Sequence, residues 1–485
     1  MVSRIRIAPL LCAAAGTAAG FYFLSSIVLP AAAAVLLVSL ALLCFFRTLS
    51  SLYSQERLFQ ITSACACALS VGLFLGICAS RAGSTTVRFG IPENKITAVE
   101  GVLLEDPRGI SGGRALAAIS LRRCAGEGSL RVNSSGEIAV FFSRESAQRL
   151  REFGRGTVVF AEGKLRSGDT GWSFSAESLH VVKRASALER MRTAVRLDLI
   201  SRFDGKNWGG LALALLVGIK DNLDTNLSAM YRNAGSSYIL ALSGMHLAIL
   251  VVLIAFLLKK PLGLKMSAVT SALIICLYCF LVGPMPSLHR AALMYIIGVV
   301  TILGGLPKKP LSVLALSFLI QIVITPSAGN SISFVLSYLA LAGILLIGQP
   351  LYSLAAGKVP GFILQPLGVS AGAFLATAGV TGFTFGIIAP IGIVVSLALI
   401  PLTTAFMITS IIWLALDMLS LSGFLNLPLS LLYQLMERIV SLAGGIPGVS
   451  ANPAVILALS LVMSLLIAAL EYRRRAVLVR LQPFS

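Results

Sequence analysis

Long apolar runs constrain this chain more than any other feature of its sequence. Stretches of roughly 18 or more apolar residues recur along it, and that length crosses a hydrocarbon core about 30 Å thick. Hydrophobic residues make up 57% of the 485 residues, charged residues only 12%, and the mean hydropathy is +0.90. A soluble fold is excluded by this composition. The sequence therefore predicts a polytopic α-helical membrane protein of about 10–12 spans.

The predicted spans fall on both sides of one polar region. Apolar segments lie at Ile7–Leu24, Ile27–Phe46, Phe59–Ala79, Trp208–Ile219, Ser236–Leu258, Ser267–Val282, Ser287–Leu303, Leu311–Thr325, Ile332–Ile347, Phe362–Ala389, Ile391–Leu416, Leu425–Val440 and Ala454–Leu470. Three of them precede the polar region and the others follow it. Since the chain re-enters the membrane afterwards, the polar region is expected to be a separate domain outside it.

The polar region has the pattern of a small β domain. Short alternating runs separated by Gly-rich or charged turns predict strands at Ile96–Leu104, Arg114–Leu121, Glu137–Phe142, Thr157–Leu165 and Trp172–Val182. Five short strands in roughly 100 residues are typical of a small closed or partly open barrel. We therefore expect one external β-barrel domain with an oligonucleotide-binding-like fold.

Composition divides the chain into five regions. We expect three transmembrane segments in residues 1–80, the external β-barrel in 81–184, an amphipathic interfacial helix in 185–207, a larger transmembrane domain in 208–472 and a cytoplasmic basic tail in 473–485. The interfacial helix is expected to lie along the outer membrane surface with its arginines, which are Arg190, Arg192, Arg196 and Arg202.

Basic residues set the expected orientation. The markers of the cytoplasmic side are Arg4, Arg6, Arg47, Arg57, Lys259, Lys260, Lys265, Lys308, Lys309, Lys358 and Arg473–Arg475. They place both termini in the cytoplasm and the β domain outside. The net charge of +19 fits this rule together with attraction to membrane lipid, and it equally fits an anionic, phosphate-bearing partner. Charge alone leaves both interpretations open.

One apolar segment contains a group of polar residues. The stretch Tyr238–Ile249 is Y-I-L-A-L-S-G-M-H-L-A-I, and it holds Ser243, Gly244 and His246. On a continuous helix the serine and the histidine share a face, which suggests the lining of a pore or site. A stripe of small residues would let a neighbouring helix approach closely (Ser237, Ala241, Gly244, Ala248). In the alternative interpretation Ser243 bonds to its own helix and His246 is a neutral packing residue.

The next span begins with a second polar group. Two prolines in Gly283–Pro286 must interrupt the helix, and Ser287 is then a natural N-cap for a helix that begins at Leu288. His289 and Arg290 fall in its first turn, where the helix dipole favours an anion. A broken helix of this kind is typical of transporters that bind anionic solutes. The alternative is a short external loop whose arginine reaches lipid phosphate.

A third polar stripe runs through Asn330, Ser333 and Ser337, with Tyr338 adjacent. It fits a path lining, and it fits hydrogen bonds between packed helices equally well.

Enzymatic chemistry is poorly supported. Three histidines, His180, His246 and His289, form no metal-binding motif, so we expect no metal and no cofactor. Ser243 with a histidine is a nucleophile–base pair in principle, yet no orienting carboxylate is near in sequence. We expect no enzyme, and keep an intramembrane serine hydrolase and a secondary transporter of a small anionic solute as alternatives.

Five sequence stretches resemble the ComEC family of competence proteins. They are A-L-L-V-G-I-K-D-N-L, Y-I-L-A-L-S-G-M-H-L, G-P-M-P-S-L-H-R-A-A-L-M, S-F-V-L-S-Y-L-A-L-A-G-I and F-G-I-I-A-P-I-G-I-V-V-S-L-A-L-I-P-L. Their order and spacing agree with the family over Leu211–Leu402. The serine-glycine-x-histidine and serine-x-x-arginine-alanine elements are the most specific.

The resemblance implies a channel for single-stranded DNA in the bacterial cytoplasmic membrane during natural transformation. By motif position Ser243, Gly244, His246 and Arg290 carry over to this chain. The external barrel would then handle incoming DNA, with Arg122, Arg123 and Arg131 as candidate contacts. An ordinary solvated surface explains these three arginines as well.

The chain departs from the family pattern in three respects. Many members carry a C-terminal metallo-β-lactamase-like domain, and this sequence stops without it. Tyr238 replaces a more frequent histidine, and Ser396 replaces the usual asparagine. The resemblance then implies a separate nuclease, a DNA receptor and a cytoplasmic motor as partners, with homo-oligomer formation left open.

Overall fold

The computed structural model describes residues 8–22, 56–83, 87–110, 113–126, 131–150, 152–168, 171–306, 309–355, 360–446 and 448–449, with a few isolated positions beyond. The predicted span Ile27–Phe46, nearly all of Ala454–Leu470 and the tail 473–485 lie outside the described residues. Several basic orientation markers lie outside them too, namely Arg4, Arg6, Arg47, Lys308, Lys358 and Arg473–Arg475.

The chain forms two compact units. One consists of Met1–Ser84, Thr225–Ile275 and Pro286–Ser485, and we call it the membrane unit. The other consists of Thr85–Asp224 and Cys276–Met285, and we call it the sheet unit.

Helices make up the described part of the membrane unit and flank the sheet of the other unit. In chain order they are α1 Ala8–Tyr22, α2 Glu56–Gly83, α3 Arg144–Leu150, α4 Ala187–Phe203, α5 Gly209–Val217, α6 Thr225–Asn233, α7 Ser237–Leu240, α8 Gly244–Val282, α9 Pro286–Leu303, α10 Pro310–Ile324, α11 Ile332–Gly343, α12 Gln349–Ala355, α13 Gly361–Phe385, α14 Gly392–Asp417 and α15 Asn426–Gly444. A π-helical turn, Ile344–Gly348, joins α11 to α12.

Five helices in the described part of the chain are long and apolar enough to cross a membrane. They are Gly244–Val282, Pro286–Leu303, Ile332–Ser353, Ile363–Phe385 and Gly392–Asp417. Shorter apolar helices lie at Pro9–Tyr22, Ala68–Ser80 and Pro310–Ile324. The prediction of a multi-pass helical membrane protein is confirmed, while the total of about 10–12 spans stays a prediction.

Two predicted spans are wrong in their extent. The segment Trp208–Ile219 forms only the nine-residue helix α5, about 13 Å long. It ends because Gly218, at φ 72°, adopts the left-handed conformation of a helix C-cap. The predicted continuous helix Ser236–Leu258 is interrupted after Leu240 and restarts at Gly244.

Helix α8 is two helices in one continuous stretch of 39 residues. Pro261 removes a backbone donor, and Gly263 has φ 72° and ψ 173°, which no helix accommodates. This break lies between the predicted spans Ser236–Leu258 and Ser267–Val282, among the lysines expected in a cytoplasmic connection.

A glycine seam holds α1 against α2. A Cβ added at Gly16, Gly20, Gly72 or Gly76 would lie 2.2–2.3 Å from a backbone oxygen of the other helix. The spacing of four residues on both helices permits this close backbone approach, as in other membrane helix pairs. Since Gly16 meets Leu69 and Gly20 meets Leu73, the two helices run parallel.

The described residues of the sheet unit form seven strands. They are β1 Ile96–Leu103, β2 Arg108–Ile110, β3 Arg114–Gly126, β4 Arg131–Asn133, β5 Glu137–Phe142, β6 Val158–Gly168 and β7 Gly171–Lys183. The five predicted strands match β1, β3, β5, β6 and β7. The short strands β2 and β4 were not predicted, and both pair with β3.

The strand pairing returns to its starting point. β1 pairs with both β3 and β6, β6 with β7, β7 with β5, and β5 with β3. All these pairs are antiparallel except β5 with β7, which is parallel. Alternating side chains from the five long strands form one apolar core that includes Val99, Ile119, Val140, Val159 and Phe174.

Candidate functional site

Ser243 and His246 form the N-terminal cap of α8. The Ser243 hydroxyl accepts a hydrogen bond from the Met245 N–H at 3.3 Å, and His246 Nδ1 accepts one from the Ser243 N–H at 3.2 Å. This reciprocal arrangement is a capping box with histidine in the place of the usual Glu or Gln. The prediction that both residues share a face of a continuous helix is therefore wrong, because the helix begins at Gly244.

The same break removes the predicted stripe of small residues. Ser237 lies in α7 and Ala241 in the gap, whereas Gly244 and Ala248 lie in α8. These positions share no single helix, so the small residues cannot form one continuous contact face.

The hydrogen bonds of His246 define its protonation. Since Nδ1 accepts the Ser243 N–H, the ring carries its proton on Nε2 and is neutral. The side chain is fully buried, and Nε2 has no hydrogen-bond partner within 3.5 Å among the described residues. The cap at the start of this span therefore uses Nδ1, and the backbone of Ile239 is the polar group nearest to the rest of the ring.

Arg290 lies near the start of α9, which begins earlier than predicted. The first residue is Pro286, because proline is favoured at the first helical position, so Ser287 is inside the helix and is not its N-cap. The Ser287 hydroxyl instead lies 3.3 Å from the Ser333 hydroxyl on α11. His289 is exposed.

The Arg290 side chain is buried, and no acidic side chain among the described residues pairs with it. The residue is 6% exposed, and its Nε and Nη1 have no hydrogen-bond partner among the described residues. The guanidinium lies over the ring of Tyr338, 5.2 Å from the centroid. A cation–π contact of this kind is favourable at a desolvated site, but it leaves the N–H donors in the guanidinium plane unused.

A polar and aromatic group fixes the ring under Arg290. The Tyr338 hydroxyl donates to Gln321 Oε1 at 3.1 Å and lies 3.4 Å from the Ser317 hydroxyl, both on α10. Phe318 packs edge-on against the same ring at 5.2 Å. Sequence reasoning noted Tyr338 beside the third stripe but missed its contact with Arg290. Gln321, the largest polar side chain of the mainly apolar helix α10, was the available signal for its bonding partner.

The two predicted polar segments meet at their helix starts. A Cβ added at Gly244 would lie 3.5 Å from the Ala291 Cβ, one residue after Arg290. The start of α8, with its histidine, thus packs beside the start of α9, with its arginine. In the third stripe, Ser333 contacts Ser287, Ser337 is half-buried on α11, and Asn330 is an exposed residue in the preceding 3₁₀ turn.

The nucleophile–base alternative meets a geometric difficulty. Ser243 Oγ lies 3.0 Å from His246 Nδ1, which is a suitable distance for proton transfer. Both atoms are already engaged with the helix cap, and no described carboxylate orients the ring. In the described part of the chain, no three His, Cys, Asp or Glu side chains are grouped as metal ligands.

Tyr238 and Ser396, the two residues that differ from the family pattern, contact each other. The Tyr238 hydroxyl is within hydrogen-bonding reach of Ser396, whose own hydroxyl donates to the Gly392 carbonyl. A larger residue on α7 is thus accommodated by a smaller one on α14.

The three candidate arginines of the sheet unit differ in their surroundings. Arg122 and Arg123 are exposed on β3. Arg131 on β4 pairs with Glu100 at 3.1 Å and stacks over the Phe160 ring at 4.9 Å. Its charge is therefore partly neutralised, whereas the first two side chains extend from the sheet surface.

Comparison with known proteins places the chain in a family. The family model described as Competence protein matches residues 215–475, more than half of the sequence. The chain belongs to the competence protein family. The predicted resemblance to the ComEC family is confirmed by this match and by the relative described next.

Two relatives of the competence protein match parts of it. ComE operon protein 3 of Bacillus subtilis (strain 168) is 24% identical over 205 residues, covering 40% of this chain and 26% of the relative. An uncharacterized protein of Aquifex aeolicus (strain VF5) is 26% identical over 263 residues, covering 52% of this chain and 60% of the relative. The chain thus covers less than two thirds of either relative. No solved structure matches.

Proposed function

We propose that this competence protein forms the path by which single-stranded DNA crosses the bacterial cytoplasmic membrane during natural transformation. The observation that carries the proposal is Arg290, a buried cation with unused donors at the start of a span. A charge at such a position is costly and tends to mark a substrate pathway. In a competence protein, the anion that uses these donors is the DNA phosphodiester.

The geometry around Arg290 suits a moving phosphodiester chain. A guanidinium forms strong paired hydrogen bonds with phosphate oxygens. Its stacking on Tyr338 keeps it in one orientation, and in the described part of the chain no acid neutralises it. His246 caps the start of α8, which meets α9 next to Arg290 at the Gly244–Ala291 contact. Strong but few contacts allow a polyanion to bind and to leave again, as conduction requires.

We propose that the sheet unit is a barrel of the oligonucleotide-binding type. The pairing circuit β1–β6–β7–β5–β3–β1 supports closure of five long strands into one barrel. Such folds hold single strands with basic side chains and stacking aromatics. Arg122 and Arg123 are the proposed phosphate contacts on this domain. Arg131 is proposed as a weaker contact because of its pairing with Glu100.

We propose that the sheet unit lies outside the membrane, with both termini in the cytoplasm, as the positive-inside rule predicts. The proposed regions keep their predicted bounds, with α4 as the interfacial helix. Its outward residues Leu188, Met191 and Val195 are exposed apolar side chains at helical spacing, which suits the headgroup boundary of a bilayer. Because we propose that the protein conducts DNA and does not cleave it, we also propose a separate nuclease, a DNA receptor and a motor as partners. Homo-oligomer formation stays open.

A transporter of a small anionic solute is the second candidate, because the unused donors of Arg290 fit any oxyanion. Excess inorganic phosphate separates the two. It should inhibit a small-anion carrier, whereas it should leave internalisation of labelled DNA nearly unchanged, because one strand presents many phosphodiesters in succession to the same few donors.

Transformation of a deletion strain tests the proposal. Wild-type protein should restore internalisation of labelled DNA, Arg290→Ala should lower it by about tenfold or more, and Arg290→Lys should fall between them. Arg232→Ala is the matched control, since Arg232 is an exposed arginine on α6. Membrane levels of each variant are measured alongside. Normal DNA internalisation in the deletion strain would contradict the proposal.

A further inference from the structure

Helix α4 turns two of its arginines inward, contrary to the sequence prediction. Arg190 is exposed as expected, whereas the Arg192 side chain is 0% exposed and that of Arg196 is 15% exposed. Residues 192 and 196 lie one turn apart and face the rest of the sheet unit. The prediction that all four arginines follow the membrane surface is therefore wrong for these two.

Both guanidiniums converge on Asp106, in the loop after β1. Arg192 Nη2 pairs with Asp106 Oδ1, and Arg196 Nε lies 3.1 Å from Asp106 Oδ2. The same carboxylate accepts the Arg155 N–H at 3.1 Å. Burial raises the pKa of Asp106, but Arg196, Arg192 and this N–H outweigh burial and hold it below its usual range. Asp106 is therefore ionised at neutral pH.

A second carboxylate completes the network. Glu189 Oε2 accepts from Arg192 Nε at 2.7 Å, and Glu189 Oε1 accepts from Arg155 Nη2 at 2.6 Å. Three guanidiniums thus face two carboxylates. The remaining donors are directed to the end of another helix.

These remaining donors cap the carboxyl end of α8. Arg192 Nη1 donates to the Leu281 carbonyl at 3.2 Å, and Arg196 Nη1 donates to the Val282 carbonyl at 3.2 Å. The last carbonyls of a helix have no partner within it and carry a partial negative charge. The two guanidiniums therefore satisfy these carbonyls, and the partial negative charge of the helix end offsets the excess positive charge of the network.

The chain leaves this cap through a sharply defined turn. Gly283 follows with φ 94°, and a Cβ there would lie 3.4 Å from Arg192 Nη1. Pro284 and Met285 lead on to Pro286, where α9 begins. Arg290 is thus eight residues along the chain from the capped Val282.

We propose that Arg192 and Arg196 are positioning residues that join the Asp106 loop, α4 and the end of α8 into one body. The inference rests on the proposed function for its ligand. Binding of single-stranded DNA to the sheet unit then alters the segment Cys276–Met285, and through it the start of the helix that carries Arg290. In this proposal the sheet unit does more than bind DNA before transport, because its DNA-bound state changes the start of the helix that carries Arg290.

We call the contacts of Arg192 and Arg196 with Asp106 and with the end of α8 the clamp. Amide hydrogen exchange of the full-length protein in lipid nanodiscs tests the clamp without DNA. Arg196→Gln and Asp106→Asn should each speed exchange of the backbone amides in 276–285 by about tenfold, because each removes charge-assisted bonds. Arg190→Gln on the same helix should leave it unchanged. If Arg192→Gln fails to fold, these two variants still decide the question, since each keeps Arg192. Unchanged exchange in both variants would contradict the clamp.

Addition of oligo(dT) to the same samples tests the coupling. In the wild type it should slow exchange in 276–285 by several-fold, whereas Arg196→Gln should bind oligo(dT) with similar affinity and show no such change. An equal response in both proteins would overturn the coupling. Absence of oligo(dT) binding to every sample would count against the proposed function, and the DNA-free exchange would still decide the clamp.

Discussion

Arg290 is the side chain whose burial has the clearest functional meaning. An unsatisfied donor of a charged group costs about 1–3 kcal/mol or more, and Arg290 leaves two such donors unused. The Tyr338 ring offsets part of this cost. No acidic side chain among the described residues compensates the rest of this cost. Transient binding of an anion at Arg290 would compensate it and would account for the burial of the side chain.

A pair of substitutions at Tyr338 separates its ring from its hydroxyl. Tyr338→Phe keeps the π face under Arg290, so DNA internalisation should stay within about threefold of wild type. Tyr338→Leu removes that face and should lower internalisation by about tenfold. Transformation frequency, normalised to the amount of protein in the membrane, is the readout. Equal loss in both variants would show that the hydroxyl bond to Gln321, and not the cation–π contact, is what matters.

The roles of single residues were only partly predictable from sequence. Ser243 and His246 stood out as polar residues in an apolar run, but the pattern suited a continuous helix as well as a cap. The inward turn of Arg192 was beyond reach, because its partners Asp106 and Leu281 lie 86 and 89 positions away. Long-range electrostatic partners leave no periodic signal near the residue itself.

At the scale of elements, close helix packing is set by glycines. The seam between α1 and α2 leaves no room for a side chain at Gly72, where a Cβ would lie 2.2 Å from the Ala13 carbonyl oxygen. By contrast, a Cβ at Gly298 on α9 meets nothing within 4 Å. The same substitution at Gly72 and at Gly298 therefore compares a glycine inside the α1–α2 contact with a glycine that has open space around it.

Native thiols report on that seam. Cys12 on α1 and Cys65 on α2 lie within contact distance of each other. With the other cysteines replaced by serine, a short thiol cross-linker should join them in the wild type. Gly72→Val should lower the cross-linking yield by about tenfold, because the backbones must separate, while Gly298→Val should not change it. Cross-linking that survives Gly72→Val would contradict the packing.

The elements were predictable where local pattern decides them. Alternation predicts β5 and β7 nearly to their ends, because each of these strands buries one face in the core. The short strands β2 and β4 were missed since three residues hold no period. The start of α9 was placed two residues late because Ser287 looked like an N-cap, although Pro286 fits the first helical position better.

At the scale of the whole molecule, the protein combines two kinds of cation. Exposed arginines of the sheet unit suit capture of a polyanion from solution, since their attraction extends about 10 Å in 0.1 M salt. The buried arginine of the membrane unit suits a short contact inside a low-dielectric region. In the proposed function both serve DNA uptake, and the polar segments in α8 and α9 mark where the strand is proposed to pass.

The most direct test places a photo-cross-linker on the proposed path in competent cells. p-Benzoylphenylalanine at Ser287, beside the α9–α11 contact, should capture labelled DNA during uptake, because the path is proposed to run there. The same group at Val300, an exposed apolar position farther along α9, should capture lipid and no DNA. Normal internalisation of DNA with no cross-link at Ser287, or with equal cross-linking at Val300, would contradict the account.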